Sequence, residues 1–335
     1  MDASPGSSTR PTEFPGHVYR FDRRDLARNV AATVGLVLLA GLAVLGLLCT
    51  GLAGKPALLG NADSTILATK ARLASEPSAA RLAFVGDSSC LVNVDIPTLR
   101  TAGVEAVNLG TLSYLGLDAF GLLARRFCEG HSPAEIVLVV HPECLRLAQA
   151  SAEHRRILET ALGLGEPAWS LQAGPAAEAL GFEEARERWL DRALPTPLRG
   201  GLGARYGFTR DLQRELLGNG GTLEETAQYV AAASTASAEY RIAPRIRTEC
   251  ERFRKLLPPG TRLRLVISPV PRSHALRRHE ATVSEMAATV AASLGAERPR
   301  DPMPAILPDT DFGTTTHLRP EAARRYTLRL AEALR

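Results

Sequence analysis

A serine follows the first predicted strand of the chain in a tight, glycine-containing turn. The apolar run Leu82–Val85 leads directly into Gly86, Asp87, Ser88 and Ser89. Such a turn presents a hydroxyl at the carboxyl edge of a sheet, where α/β proteins form their sites. It also directs the N–H groups of the next helix to the same place, where they could hold an oxyanion. Ser88 is therefore a candidate nucleophile, although Asp-Ser-Ser is also an ordinary helix cap.

Two later motifs could complete a serine-dependent site. The segment Asn108–Gly110 ends the second predicted strand, and Gly110 could offer a backbone N–H at the same edge, although a glycine turn after a strand is common. His317 lies on a loop before a predicted helix that begins at Pro320, a favourable first-turn position for proline. A histidine there could act as general base for Ser88, although a lone loop histidine is usually only a surface residue.

Short apolar runs and helical patterns alternate along the part of the chain that carries these motifs. Continuous β-branched runs without polar alternation are typical of parallel strands that are covered on both faces. The pattern predicts an α/β fold, a three-layer α/β/α sandwich with a mostly parallel sheet. The predicted strands are Leu82–Val85, Val104–Leu109, Ile136–Val140 and Leu263–Ile267. The predicted helical segments are Leu115–Phe127, Thr222–Leu257 with a break at Pro244, Arg278–Leu294 and Pro320–Leu334.

An insertion of about 120 residues separates the third and fourth predicted strands, which is far longer than an ordinary crossover. It spans approximately residues 148–260 and carries both tryptophans, Trp169 and Trp189. It could be a helical elaboration that packs on the sheet, or it could be a lid or a docking surface for a partner.

The composition excludes several classes of protein. Hydrophobic residues make up 45% of the 335 residues and charged residues 23%, which indicates a globular chain. The 40 basic and 36 acidic residues nearly balance, so we expect no nucleic-acid partner. Five scattered cysteines without a CxxC pair, and seven histidines without HxH or HxxxH spacing, predict no metal site and no metal cofactor.

The N-terminal region contains an apolar segment long enough to cross a membrane. No charged residue occurs in the range 29–54, and this exceeds the roughly 20 apolar residues that span a bilayer core. Arginines precede the segment, so the positive-inside rule places the N terminus in the cytoplasm and the main domain outside. A cleaved signal peptide is the alternative, but the apolar stretch is longer than the usual ~7–15 residues of such a peptide. The four arginines are Arg20, Arg23, Arg24 and Arg28.

The resulting organisation has four parts. Residues 1–28 are predicted to be a disordered cytoplasmic tail, and residues 29–54 a transmembrane helix. Residues 55–80 form a linker with a short helix around Ser64–Ala74, and residues 81–335 form the main domain.

The order and spacing of these motifs resemble the SGNH/GDSL hydrolase superfamily. The resemblance rests on GDSS after the first strand, NLG after the second, Ser268–Pro271 (SPVP) after a later strand, and the C-terminal THLRPEAARRYTLRLAEAL. It covers approximately residues 80–147 and 260–335. The likeness is greatest to the membrane-anchored branch that modifies bacterial surface polymers, such as the alginate and cellulose O-acetylation proteins. It implies that Ser88 is the nucleophile, that His317 is the base, and that the backbone of Ser88 and Gly110 forms the oxyanion hole.

Two positions depart from the family pattern. Where the family has an asparagine after the third strand, this chain has His141, which could replace the asparagine as an oxyanion donor. Thr314 stands three residues before His317, where the family has its catalytic aspartate. Either Asp311 substitutes for that acid or the site works as a Ser–His dyad, and the offset of Asp311 from the usual register favours the dyad.

Two cysteines follow strands that the resemblance makes neighbours. An oxidising compartment could join Cys90 and Cys144, but two small buried thiols are the more common arrangement.

The resemblance implies an acyltransferase or esterase, with acetyl as the transferred group, on a cell-envelope or exported polysaccharide. It implies no cofactor. It places the protein in the bacterial inner membrane with its main domain in the periplasm. Because a single helix cannot carry an activated acyl donor across the bilayer, a multi-spanning membrane acyltransferase is the expected partner. The alternatives are a catalytically degenerate domain that binds polysaccharide or scaffolds a biosynthetic complex, and a stand-alone esterase.

Overall fold

The computed structural model describes residues 23–49, 62–131, 134–146, 150–164, 209–225 and 240–335. The predicted tail up to residue 22, both tryptophans and most of the predicted insertion lie outside the described residues.

The apolar N-terminal segment forms one long helix, α1 (Arg23–Cys49). Its window Arg24–Ala43 has a mean hydropathy of 1.7, and none of that window is buried. At 1.5 Å per residue, 27 residues extend about 40 Å, which is enough for a hydrocarbon core of about 30 Å. A signal sequence near the N terminus has the same length and hydropathy. The helix begins six residues before the predicted span, because arginine and leucine are good helix formers and Asp25 in the first turn favours the helix dipole.

Four parallel strands form the central sheet, in the order β2-β1-β3-β4. All four strands predicted from the sequence are confirmed, with ends that differ by at most two residues. The chain places β2 on one side of β1 and then crosses to place β3 on the other side, so β1 is the topological switch point of the sheet. Clefts form at such a switch point in parallel sheets, at the carboxyl ends of the strands. The strands are β1 (Leu82–Gly86), β2 (Ala106–Gly110), β3 (Glu135–Val140) and β4 (Arg262–Ile267).

Helices connect and cover these strands. They are α2 (Ala62–Ser75), α3 (Ser88–Asn93), α4 (Ile96–Thr101), α5 (Leu117–Gly130), α6 (Pro142–Arg146), α7 (Ala152–Ala161), α8 (Thr209–Gly218), α9 (Arg245–Leu256), α10 (His279–Leu294) and α11 (Pro320–Ala333). Two short strands, β5 (Val270–Pro271) and β6 (Ile306–Leu307), pair in parallel beside the main sheet. The single-turn 3₁₀ helices Arg272–His274 and Asp309–Asp311 follow these two strands.

Alternate residues of each strand enter two different hydrophobic clusters. Ala83 and Val85 of β1 pack with side chains of α2, α5, α9 and α10. Phe84, between them, packs with side chains of α4 and α11, such as Leu99 and Tyr326. Both faces of the sheet are therefore buried, which explains why the strands read as continuous apolar runs.

Helix α2 lies in the region predicted to be a linker, but it packs into the domain with eight buried residues. Its side chain Lys70 is fully buried, and Nζ donates to the carbonyl oxygens of Asn108, at 2.8 Å, and Gly221. Burial lowers the pKa of Lys70 to about 7. This lysine ties α2 to the end of β2 and to the turn after α8, so the described part of the predicted linker is an integral part of the domain.

Candidate active site

Ser88 lies at the carboxyl edge of the sheet, directly after β1 and at the start of α3. Gly86 makes this turn possible. It has φ of +154°, and a Cβ there would overlap the backbone carbonyl of Val139 in the neighbouring strand β3. The close approach of β1 and β3 brings the Ser88 turn against the end of β3.

The buried carboxylate of Asp87 joins three segments at this edge. It accepts hydrogen bonds from the Ser89 backbone N–H at 2.9 Å, the Ser89 hydroxyl at 2.6 Å and the His141 backbone N–H at 2.8 Å. Burial raises the pKa of Asp87, and these hydrogen bonds act in the opposite direction. Ser89 Oγ also lies 2.7 Å from Ser268 Oγ, so the ends of β1, β3 and β4 are linked through polar side chains.

His317 lies on a loop that is fixed to the helix beginning at Ser88. Asn93, the last residue of α3, accepts a hydrogen bond from Leu318 N at 2.7 Å and donates one to the Thr316 carbonyl at 3.1 Å. Thr314, in the place of the family's aspartate, accepts from the His317 backbone N–H at 3.1 Å. Thr314 therefore shapes the loop and does not contact the His317 ring nitrogens.

The His317 ring pairs with a carboxylate that the sequence did not indicate. Nδ1 of His317 lies 2.9 Å from Oε2 of Glu225, and both side chains are mostly buried. A carboxylate acceptor places the ring hydrogen on Nδ1 and leaves a lone pair on Nε2. Nε2 is buried and has no hydrogen-bond partner among the residues that the structure describes. This is the state that a general base requires.

Glu225, rather than Asp311, therefore supports His317. Asp311 accepts a hydrogen bond from Arg325 at 2.7 Å, and Asp309 accepts one from Ser273 N at 2.9 Å. The 3₁₀ turn Asp309–Asp311 directs these carboxylates to partners other than His317. A dyad without an acid is also not what the structure shows, since His317 has its carboxylate.

The hydroxyl of Ser88 contacts a second serine. Ser88 Oγ lies 3.0 Å from Ser113 Oγ, on the loop after β2. In the described part of the chain, Ser88 makes no hydrogen bond to His317. The two side chains are therefore not directly hydrogen-bonded, although Asp87, next to Ser88, interacts electrostatically with His317.

Gly110, the expected oxyanion donor, has another role. Its N–H donates to Asn108 Oδ1 at 2.8 Å, and a Cβ on Gly110 would clash with the backbone of Cys90 and Leu91 in α3. Glycine is required here because β2 and α3 approach closely, and its N–H is already used.

His141 is a neutral donor at the end of β3. Its Nδ1 accepts from Glu143 N at 3.2 Å, so the ring hydrogen lies on Nε2, which is buried without a partner. Burial, together with the other histidines nearby, lowers the pKa of His141 to about 3. These histidines are His274, His279 and His317.

Cys90 and Cys144 are separate buried thiols. Cys90 Sγ lies 3.7 Å from Asn108 Oδ1, and Cys144 Sγ lies 3.4 Å from the Ser113 carbonyl. Burial raises the pKa of both thiols, so they are protonated and inert at neutral pH.

A cavity of about 890 Å³ lies along the outer edge of β4, away from Ser88 and His317. Its lining includes Arg298, Arg300 and Arg329.

Within the described ranges, no group of three or more His, Cys, Asp and Glu side chains is arranged to hold a metal ion. The candidate chemistry of this edge therefore rests on serine, histidine and glutamate.

Sequence reasoning missed Glu225, Ser113 and Asn93. Glu225 lies in the insertion, 92 residues from His317, and no spacing rule connects them. Ser113 gave a weak signal, because it follows the predicted Asn108–Gly110 turn by three residues.

The chain was compared with known proteins. No family model matches it, and no curated protein is similar enough in sequence to count as a match.

Proposed function

We propose that this protein is a membrane-anchored, SGNH-like serine acyltransferase or esterase. Its proposed substrate is a cell-envelope or exported polysaccharide, and its proposed acyl group is acetyl. The four-stranded order β2-β1-β3-β4 and the burial of both sheet faces support the three-layer α/β/α arrangement of that superfamily.

The single observation that carries the proposal is the pairing of His317 with Glu225. An imidazole whose Nδ1 is held by a carboxylate and whose Nε2 is left without a partner is arranged to accept a proton. Asn93, the last residue of the helix that starts at Ser88, binds the backbone on both sides of His317.

In the proposed reaction, Ser88 Oγ attacks the carbonyl carbon of an acyl donor and His317 Nε2 takes the hydroxyl proton. Glu225 stabilises the imidazolium that forms. The tetrahedral oxyanion collapses, the leaving group takes the proton from His317, and an acyl-serine remains. Water or a sugar hydroxyl then attacks this ester while His317 removes its proton, and His317 returns that proton to Ser88 Oγ as the acyl–serine bond breaks.

The proposed location is the bacterial inner membrane, with the N terminus in the cytoplasm and the main domain in the periplasm. Helix α1 supports an anchor, and Arg23, Arg24 and Arg28 in its first turns support this orientation. The proposed partner is a multi-spanning membrane acyltransferase that supplies the acyl group. Alkaline phosphatase fused after Arg335 should be active, and the same fusion without residues 29–49 should be inactive; an inactive full-length fusion would contradict the orientation.

The chemistry can be tested with a fluorophosphonate probe, which reacts only with activated serines. Wild-type protein should be labelled, and Ser88→Ala and His317→Ala should not. Ser293→Ala is a matched control, because this exposed serine only bonds to the Thr289 carbonyl within its own helix. Folded wild-type protein that resists labelling would contradict the proposal.

A catalytically degenerate domain that binds polysaccharide or scaffolds a biosynthetic complex is the second candidate. One observation favours it, since Ser88 Oγ contacts Ser113 and makes no described hydrogen bond to His317. Binding of a polysaccharide by unlabelled protein, with equal affinity in wild type and Ser88→Ala, would support this alternative.

A further inference from the structure

Ser113 lies within hydrogen-bond distance of the proposed nucleophile, Ser88. Its Oγ lies 3.0 Å from Ser88 Oγ, and both residues are only partly buried, so a substrate can approach them. Ser113 sits on the loop between β2 and α5, which places it at the carboxyl edge of the sheet beside Ser88. A hydroxyl at this position touches a reacting atom of the proposed chemistry.

Neighbouring groups fix the loop that carries Ser113. At its start, the Thr111 backbone N–H donates to the Gly86 carbonyl at 2.9 Å. The Ser113 carbonyl accepts from Cys144 Sγ at 3.4 Å, and the Tyr114 carbonyl accepts from Ser151 N at 2.7 Å. The backbone on both sides of Ser113 is thereby held to β1, α6 and the start of α7.

The adjacent Tyr114 adds a side-chain clamp. Its hydroxyl donates to Asp63 of α2, and its ring packs edge-on against His154 with the centroids 4.6 Å apart. His154 Nε2 lies 3.3 Å from the same Asp63 carboxylate. A donor on so constrained a loop is pre-organised, and pre-organised donors are the ones that stabilise charge in a transition state.

The oxyanion donors expected from the sequence leave a place for such a group. Gly110 N–H is already donated to Asn108 Oδ1, and the asparagine expected after β3 is replaced by His141. In a tetrahedral intermediate, the oxyanion and Ser88 Oγ are bonded to the same carbon and lie side by side. A hydroxyl that lies 3.0 Å from Ser88 Oγ can therefore donate to the oxyanion when that oxygen forms on the side of Ser113.

We propose that Ser113 is a catalytic residue whose hydroxyl donates a hydrogen bond to the oxyanion formed when Ser88 is acylated. This rests on the proposed function. As the Ser88 O–C bond forms, the C=O π pair moves to the carbonyl oxygen, the Ser88 proton moves to His317 Nε2, and Ser113 donates to the new oxyanion. When the carbonyl re-forms, the bond to the leaving group breaks, and that group takes the proton from His317.

The competing role for Ser113 is to hold the Ser88 hydroxyl in a resting rotamer. The two roles predict opposite effects of Ser113→Ala. Loss of a resting partner would leave the reactivity of Ser88 unchanged or raise it, because the hydroxyl would turn to His317 more easily. Loss of an oxyanion donor lowers kcat, typically by about 10²–10³-fold.

The experiment measures the rate of fluorophosphonate labelling and the hydrolysis of an aryl acetate by the full chain. We expect Ser113→Ala to slow both by about 100-fold or more with little change in KM. Ser113→Thr, which keeps the hydroxyl, should recover most of the rate, and Ser293→Ala should match wild type.

An unchanged or faster Ser113→Ala variant would overturn the inference, while labelling that still disappears in Ser88→Ala would leave the proposed function standing. A lowered melting temperature without rescue by Ser113→Thr would equally overturn it in favour of a structural role. Absence of labelling in folded wild type would overturn both proposals.

Discussion

The Glu225 carboxylate lies 2.9 Å from Nδ1 of His317, although 92 residues separate the two in the chain. One end of this pair is fixed because Asn93 binds the backbone on both sides of His317. The other end, Glu225, comes from the segment of the insertion that follows α8. The insertion therefore contributes directly to the candidate active site.

Replacing Glu225 with Gln tests this pair. The amide keeps the size of the side chain but presents an NH₂ group or an uncharged oxygen to Nδ1, so the imidazolium loses its counter-charge. Substituting the carboxylate of a Ser-His-Asp triad by its amide costs about 10⁴-fold in kcat, and we expect a loss of about 10²–10⁴-fold here. The measurement is the rate of Ser88 labelling.

Asp311→Asn is the matched control for that variant. Asp311 pairs with Arg325, whose side chain is 62% exposed, and such surface pairs contribute little to stability. Labelling should remain within about twofold of wild type, in keeping with the usual near-neutrality of surface substitutions. A large loss in Asp311→Asn with none in Glu225→Gln would restore Asp311 as the acid.

The strands could be predicted from the sequence because each is buried on both faces. Leu138 in one cluster and Val139 in the other must both be apolar, so the pattern is a continuous run that needs no knowledge of partners. The turn at Gly86 was equally readable, because a local backbone requirement selects glycine.

The support of His317 could not be predicted in the same way. Its partner is chosen by how the insertion packs, and Glu225, directly after Glu224 in a polar stretch, carries no periodic signal. For Gly110, the sequence indicates where the residue lies but not what its backbone N–H binds. Its position was predicted correctly, but the close approach of α3 is sufficient to require glycine, and the N–H is used by Asn108.

Asn93→Leu should weaken catalysis as well as folding. The variant loses the acceptor for Leu318 N and the donor to the Thr316 carbonyl, so the loop that carries His317 can shift. A misplacement of about 1 Å can cost about 10²-fold in rate. We expect kcat for aryl acetate to fall by that order while KM stays near wild type. A fall in melting temperature with normal kcat for the folded protein would instead show a purely structural role.

Asn108→Leu should destabilise the fold. The fully buried Asn108 side chain donates to the carbonyl oxygens of Cys90 and Val94 at 2.8 and 2.9 Å, and it accepts from Gly110 N. Each buried group left without a partner costs about 1–3 kcal/mol, so we expect the free energy of unfolding to fall by about 3 kcal/mol or more. Urea denaturation measures it.

The control for this variant is Asn219→Ala, at the end of α8, whose side chain makes no described hydrogen bond. It should change stability by less than about 0.5–1 kcal/mol. Equal destabilisation by both substitutions would show that the Asn108 network does not specifically hold α3 on β2.

Lys70 gives the protein a pH-dependent stability. Burial lowers its pKa from 10.5 to about 7 in the folded state. Between these values the unfolded chain binds more protons than the folded chain, so the free energy of unfolding rises with pH, by at most about 1.4 kcal/mol per pH unit. Below pH 7 the lysine is protonated in both states and its contribution is constant.

Lys70→Met should flatten this dependence, because methionine keeps a straight apolar chain without a titrating group. The informative window is about pH 7 to 8, where most of the thiols of Cys90 and Cys144 are still protonated in the unfolded chain. The absolute stability of the variant should also fall, since the carbonyl oxygens of Asn108 and Gly221 lose their donor. The exposed Lys255→Met control should keep the wild-type slope. If wild type and Lys70→Met gained stability equally with pH across this window, Lys70 would not be the group responsible.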